Sequence, residues 1–117
     1  MKRDNDYIRL LLFEMEASED FRFAPYEGTP EKEIDKRLYH INLLTDAGFV
    51  TSVGKYAHRL TNSGHDFLEA ARDEGIWQRT KDTVTTAGGS ATLEILKQIA
   101  LGYLKKQIND KTGVDIL

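Results

Sequence analysis

Residues 39–50 read Y-H-I-N-L-L-T-D-A-G-F-V, and the fold turns on this stretch. Ile41 and Leu44, with Ile34 and Leu38 one and two turns earlier, recur at helical spacing, and Gly48 stands where helices commonly stop in a left-handed residue. Phe49 and Val50 then open an extended run. The segment is therefore the end of a helix that stops at glycine and hands over to a strand. Many small regulators place such a helix in the DNA major groove. Its shape suits that use, so the question is whether its surface does.

Working outward, residues 49–61 (FVTSVGKYAHRLT) predict two short strands around Gly54-Lys55. Thr61 is placed to cap a third helix that buries Phe67, Leu68 and Ala71 and runs through Asp73 or Glu74, with Gly75 as its break. Ile76, Trp77, Thr80 and Val84 continue helically. Gly88-Gly89-Ser90 separates them from a last helix, Ala91 to about Asn109. Upstream, Thr29 reads as the N-cap of the central helix, with Pro30 in its first position and Glu31 and Glu33 in the favoured acidic first turn. Residues 21–30 (FRFAPYEGTP) predict a short extended segment and a turn. Asp4 caps a first helix to about Ala17, whose apolar stripe is Ile8, Leu11, Leu12 and Met15.

The order helix, extended segment, helix, hairpin, helix is that of a winged helix-turn-helix: mainly α with a small β-hairpin, an α+β class. One domain covers 1–117, with a winged-helix core over 1–75 and a helical extension over 76–117. The short helix that usually precedes the recognition helix is missing or replaced by the Phe21–Thr29 loop.

Composition narrows the function classes. The 117 residues suffice for one modest core, and 40% hydrophobic with 30% charged residues is ordinary for a globular protein. No apolar run approaches the roughly 20 residues needed to span a bilayer, so no membrane association is expected. Met1-Lys2-Arg3-Asp4 leads straight into a helical pattern without a signal-peptide core, and the expected location is the cytoplasm. The absence of cysteine excludes disulfides, thiolate nucleophiles and cysteine-based zinc sites. Net charge is −3, with nine basic and eleven acidic residues up to Leu60, seven and eight after it. Any attraction to nucleic acid must come from a local face.

Taken together, several pieces resemble a known group. They are Met1-Lys2-Arg3-Asp4, Tyr39-His40 with Leu43-Leu44 and Ala47-Gly48, Leu60-Thr61 with Gly64-His65 and Phe67-Leu68, Trp77 through Lys81, and Leu96-Lys97 with Ala100. In that order the chain resembles short uncharacterised proteins, often phage- or prophage-encoded, that form a domain of unknown function. The resemblance spans almost the whole chain and implies a winged-helix-like fold. It implies no catalytic residues.

Candidate sites follow from the helical wheel. Ile34, Leu38, Ile41, Leu44 and Thr45 face the core, and Lys32, Lys36, Tyr39 and Leu43 lie opposite. Base edges are commonly read by Arg, Lys, Asn, Gln or Ser, and lysine can also hold phosphate. Tyr39 and Leu43 are apolar area that suits a protein partner, or packing under the hairpin. Lys55, His58 and Arg59 surround the hairpin tip, Lys2 and Arg3 form a short basic N-terminus, and together with Lys32, Lys36 and Arg37 they would make a phosphate-contacting patch. Glu31, Glu33 and Asp35 in the same helix support instead a solvated surface of mixed charge.

The histidines lack metal-ligand spacing, and neither metal nor cofactor is expected. His65, in the first turn of the third helix, is expected to pack on the core, and His40 reads equally well as a surface residue. Gly88-Gly89-Ser90 lacks the Lys-Ser/Thr of a phosphate loop. Nothing marks an enzyme.

The last helix carries an apolar arc wider than one packing face needs. Leu93, Leu104 and Ile108 form one edge and Leu96, Ile99 and Tyr103 the other, which is open to a homodimer contact or to burial within the monomer. The sequence therefore points to a non-enzymatic binding module. Either it binds duplex DNA as a regulator of a phage or mobile element, or its winged-helix surface binds a host or immunity protein.

Overall fold

The computed structural model describes residues 1–116. Five helices and one two-stranded antiparallel sheet follow in the order α1 (Asn5–Ala17), α2 (Glu31–Asp46), β1 (Val50–Val53), β2 (Ala57–Leu60), α3 (Asn62–Ala71), α4 (Glu74–Thr86) and α5 (Leu93–Thr112). The class is mainly helical α+β. The coordinates divide into two compact units, Met1–His65 and a second from Asp66 on, so that α3 begins in one and ends in the other.

In the first unit, the Asp4 carboxylate accepts the Tyr7 amide at 3.1 Å and starts α1. Ile8, Leu11, Leu12 and Met15 are buried as the spacing predicts. α1 packs on α2 and on β2, and α2 packs on β1. α2 starts one residue later than the sequence suggests. Pro30 keeps an extended ψ of 139°, and the Thr29 hydroxyl donates to the Pro25 carbonyl at 2.9 Å instead of capping the helix. The residue before a proline is held away from helical geometry, which turns Thr29 to the preceding loop. At the other end Gly48 adopts φ +82°, and the Phe49 amide reaches back to the Leu44 carbonyl at 2.9 Å, closing a left-handed cap.

The strands pair in the register Val50↔Leu60, Thr51↔Arg59, Ser52↔His58 and Val53↔Ala57, with Gly54 at φ +66° in the turn. Phe23 adds a one-residue third strand. Its N–H donates to the His58 carbonyl at 2.7 Å and its carbonyl accepts the His58 N–H at 2.8 Å. The extended segment predicted from Phe21, Phe23 and Tyr26 is therefore shorter than its alternation suggests. Only Phe23 is buried, while bends at 19–22 turn Phe21 outward.

Thr61 joins the hairpin to α3. Its hydroxyl donates to the Gly48 carbonyl at 2.6 Å and accepts the Gly64 amide at 3.1 Å, while its own N–H donates to the Phe49 carbonyl at 3.1 Å. Gly64 then passes so close that a Cβ there would stand 2.0 Å from the Phe49 oxygen. This corrects the reading of His65. The inward position of the first turn belongs to Gly64, so His65, about 100° further round, is exposed. The core histidine is His40, which is fully buried. Its Nε2 accepts the Asp4 N–H at 2.9 Å, and its Nδ1 lies 2.7 Å from the Lys36 carbonyl. A carbonyl can only accept, so these partners select the tautomer protonated at Nδ1. Tyr7 and Tyr39 meet the ring edge-on at centroid distances of 4.8 and 5.4 Å.

In the second unit α3 stops at Ala71, before the predicted Asp73, because the Asp73 side chain accepts the Ile76 amide at 2.9 Å and caps α4. Gly75 lies inside the first turn of α4 and is not the break. Phe67, Leu68, Ala70, Ala71, Ile76 and Trp77 are buried. α5 begins at Leu93, capped by the Thr92 hydroxyl, and runs past Asn109 to Thr112, where Gly113 at φ +74° ends it.

α4 packs on α5. Leu93, Leu96, Lys97 and Ala100 form its buried stripe, and Leu101, Tyr103 and Leu104 pack against Ala70, Ile76 and Ala100. The edge assigned to a dimer contact is thus largely occupied within one chain. Leu96 is 1% exposed, Ile99 and Tyr103 are half-buried, and the Tyr103 hydroxyl meets Thr83 Oγ1. The arc is thus covered in part inside its own chain, while Ile95 and Ile108 on the same helix stay exposed at 49% and 36%.

Three outcomes follow from these contacts in the first unit, and a fourth from the packing of α5. Gly64→Ala should destabilise the protein by roughly 3 kcal/mol or more, at the upper end of over-packing, because its close neighbour is backbone that cannot swing aside. His65→Ala, one residue on, should stay within about 0.5 kcal/mol, as exposed substitutions do. His40→Ala should cost about 2 kcal/mol or more, leaving a void and an orphaned Asp4 amide. Urea unfolding monitored by circular dichroism measures all three. Leu96→Ala should lower stability by about 2–5 kcal/mol while light scattering reads the same mass as for the parent chain.

Candidate functional site

The residues singled out as a surface patch fall into two groups. Lys32, in the first turn of α2, and Lys55, in the hairpin turn, are exposed. Arg59 on β2 is also exposed, with one guanidinium nitrogen donating to the Leu60 carbonyl at 3.1 Å. These three present charge to solvent.

The other two are engaged inside the unit. Lys36 Nζ stands 3.5 Å from the Asp4 carboxylate and 4.5 Å from the centroid of the Tyr7 ring. Lys36 thereby covers the same Asp4–Tyr7 corner whose backbone is anchored on His40. The Arg37 side chain is only 11% exposed. Its Nε donates to the Pro25 carbonyl at 2.9 Å, its terminal nitrogen pairs with Glu14, and the guanidinium lies 5.2 Å from the Phe23 ring centroid. Burial opposes its charge, but Glu14 and Tyr7 outweigh that and raise its pKa. Arg37 ties α1, the loop and α2 together and is withdrawn from the patch. It cannot leave for phosphate without exposing a buried set of partners.

His58, which the sequence places among the wing cations, is changed by the sheet. Partial burial lowers its pKa below the ordinary histidine value, and Nδ1 is buried without a hydrogen-bond partner among the described residues. At neutral pH it is an uncharged ring in the sheet, flanked by the Phe23 bridge. In the preceding loop Arg22 closes on Asp20 at 3.0 and 3.1 Å. Hydrogen bonds from Arg22 hold the Asp20 carboxyl below its usual range, and both groups remain exposed. That cation is neutralised locally.

Tyr39 and Leu43 are half-buried, Tyr39 through its contact with the His40 ring. They form no open apolar face. The open aromatic surface lies elsewhere: Phe21 is 64% exposed and Tyr56, in the hairpin turn beside Lys55, 72%. Phe21, Arg59 and His65 share a cleft of about 350 Å³ with Met15, Glu16 and Glu19. Sequence reasoning misses these two aromatics. A tyrosine inside a glycine-marked turn was the available signal for Tyr56, whereas the bend exposing Phe21 has no local mark.

What remains exposed is Lys32 on α2, Lys55, Tyr56 and Arg59 on the hairpin, and a cleft of mixed charge that includes Arg59. It offers phosphate contacts and aromatic stacking. Among the described residues no three His, Asp or Glu side chains gather as metal ligands would, and no helix is long and apolar enough to cross a membrane.

Comparison with known proteins places these features in a family without an assigned activity. An uncharacterized protein of Haemophilus influenzae (strain ATCC 51907 / DSM 11121 / KW20 / Rd) is 28% identical over 117 residues, covering 92% of this chain and 99% of that one. No solved structure matches. The family described as hypothetical protein (DUF2513) matches residues 2–90, and the chain belongs to that family.

Proposed function

We propose that the chain is a non-enzymatic binding module of the winged-helix type that engages duplex DNA, as a regulator of a phage or mobile element. The reading rests on one observation, the exposure of three cations on two elements. Lys32 stands on α2, and Lys55 and Arg59 on the hairpin, all exposed. These are the elements a winged helix presents to duplex, and α1, the Phe23 bridge, α2 and the β1–β2 hairpin follow its order except for the short helix before the recognition helix, where residues 25–28 form a turn. Three cations on two elements suit backbone contact, which positions a protein without reading sequence. Tyr56 at the tip adds a flat side chain that can lie against the sugar-phosphate edge.

A second reading, contact with a host or immunity protein, is favoured by the exposed Phe21 and Tyr56 and by the internal engagement of Lys36 and Arg37. Aromatic anchors in a mixed-charge surround are what protein interfaces use.

Salt dependence tests the first reading. With three phosphate contacts, the logarithm of affinity for duplex DNA should fall against the logarithm of salt concentration with a slope of about −3. The double variant Lys55→Glu with Arg59→Glu should flatten that slope toward about −1 and weaken all sequences alike. A mobility-shift series at low salt that retards no duplex would overturn the DNA reading. In that case Phe21→Ser and Tyr56→Ser should abolish capture of a protein partner.

A further inference from the structure

We propose that the groove between α4 and α5 is a binding site for a small phosphorylated ligand, separate from the surface on α2 and the hairpin. The groove measures about 330 Å³ and is lined by Arg79, Tyr103, Lys106, Gln107, Asp110 and Lys111. From Asp66 on, the chain has seven basic and eight acidic residues, yet this groove gathers three cations against one carboxylate. Among the described residues none of the three cations is held in an ion pair. By contrast, Arg72 on the same unit is closed on Glu69 at 2.8 Å.

The geometry of Arg79 makes the cluster more than a run of surface charge. Its guanidinium lies over the Tyr103 ring, 4.5 Å from the centroid. A stacked guanidinium keeps its in-plane N–H donors available, and these match the oxygen pair of a phosphate. The support beneath it is itself fixed. The Tyr103 hydroxyl meets Thr83 Oγ1, and the Thr83 hydroxyl donates to the Arg79 carbonyl at 2.8 Å. Ring, threonine and Arg79 backbone therefore form one connected set, and the arginine is ordered before any ligand arrives. Lys106 and Lys111 supply mobile point charges from α5, and Gln107 between them adds a neutral donor. Net charge over the lining is +2, which a phosphate dianion matches.

Titration of the full-length chain with inorganic pyrophosphate, at ionic strength held constant with potassium chloride, tests the site. Calorimetry should show saturable 1:1 binding, and amide resonances of Arg79, Tyr103 and Lys106 should shift together. Lys106→Glu and Lys111→Glu, both exposed, should each weaken binding roughly tenfold or more without moving the melting temperature. Arg79→Lys keeps the charge and loses the fork, and should also weaken binding. Adenosine diphosphate as a second titrant distinguishes the source: tighter binding than pyrophosphate marks a nucleotide, and equal binding marks the phosphate group alone. Heats indistinguishable from the chloride control, or binding that survives both charge reversals, would overturn the proposal.

Discussion

The fold of the first unit depends on one close approach, that of Gly64 to the carbonyl of Phe49. A side chain there would stand 2.0 Å from that oxygen, so only glycine lets the start of α3 lie against the start of β1. Thr61 makes the approach obligatory. It holds the Gly48 and Phe49 carbonyls with its hydroxyl and amide and caps α3 with the same oxygen. Ala47-Gly48-Phe49 and Leu60-Thr61 with Gly64 are thus two sides of one joint. The left-handed Gly48 delivers a carbonyl that Thr61 takes up, and between them the hairpin leaves and returns in register.

A second constraint shapes the surface by consuming charge. His40 anchors the Asp4 amide, Lys36 covers the Asp4 carboxylate, and Arg37 joins Glu14, Pro25 and Phe23. Two of the cations on α2 therefore hold α1 and the loop in place. Of the three cations on α2, Lys32 stands exposed in the first turn, Lys36 is exposed but paired with Asp4, and Arg37 is withdrawn. This is why the functional reading rests on the hairpin as much as on the helix. It is also why the exposed Phe21 and Tyr56 give the protein-binding alternative physical content.

The second unit shows the opposite economy. α5 carries a wide apolar arc, of which it buries Leu93, Leu96 and Ala100 and packs Leu101, Tyr103 and Leu104 besides. Its polar remainder is not a neutral solvated strip. Beyond Tyr103 it carries Lys106 and Lys111 toward Arg79, and the stacking that holds Tyr103 also orders that arginine. One tyrosine thereby links the packing of α4 on α5 to the character of the groove between them.

What the sequence determined by itself was whatever depends on neighbours within a turn or two of chain. The stripe Ile8–Leu11–Leu12–Met15, the caps at Asp4 and Thr61, the stop at Gly48 and the turn at Gly54 are local chemistry, and local chemistry is written in order along the chain. The exposure of Lys32, Lys55 and Arg59 was legible for the same reason. Where a local contest had two outcomes, tertiary structure or a rival bond chose between them: Thr29 closed its loop instead of capping α2, and Asp73 capped α4 instead of extending α3. Long-range contacts decided the rest. Which histidine is core rests on a bond between residues 36 apart, Asp4 to His40. Arg37 finds Glu14 from 23 residues away, and the lowered pKa of His58 comes from its partial burial in the sheet that Phe23 joins. The fate of Leu96 and Tyr103 depends on how α5 sits on α4. Periodicity says that a face must be covered; only the folded chain says what covers it.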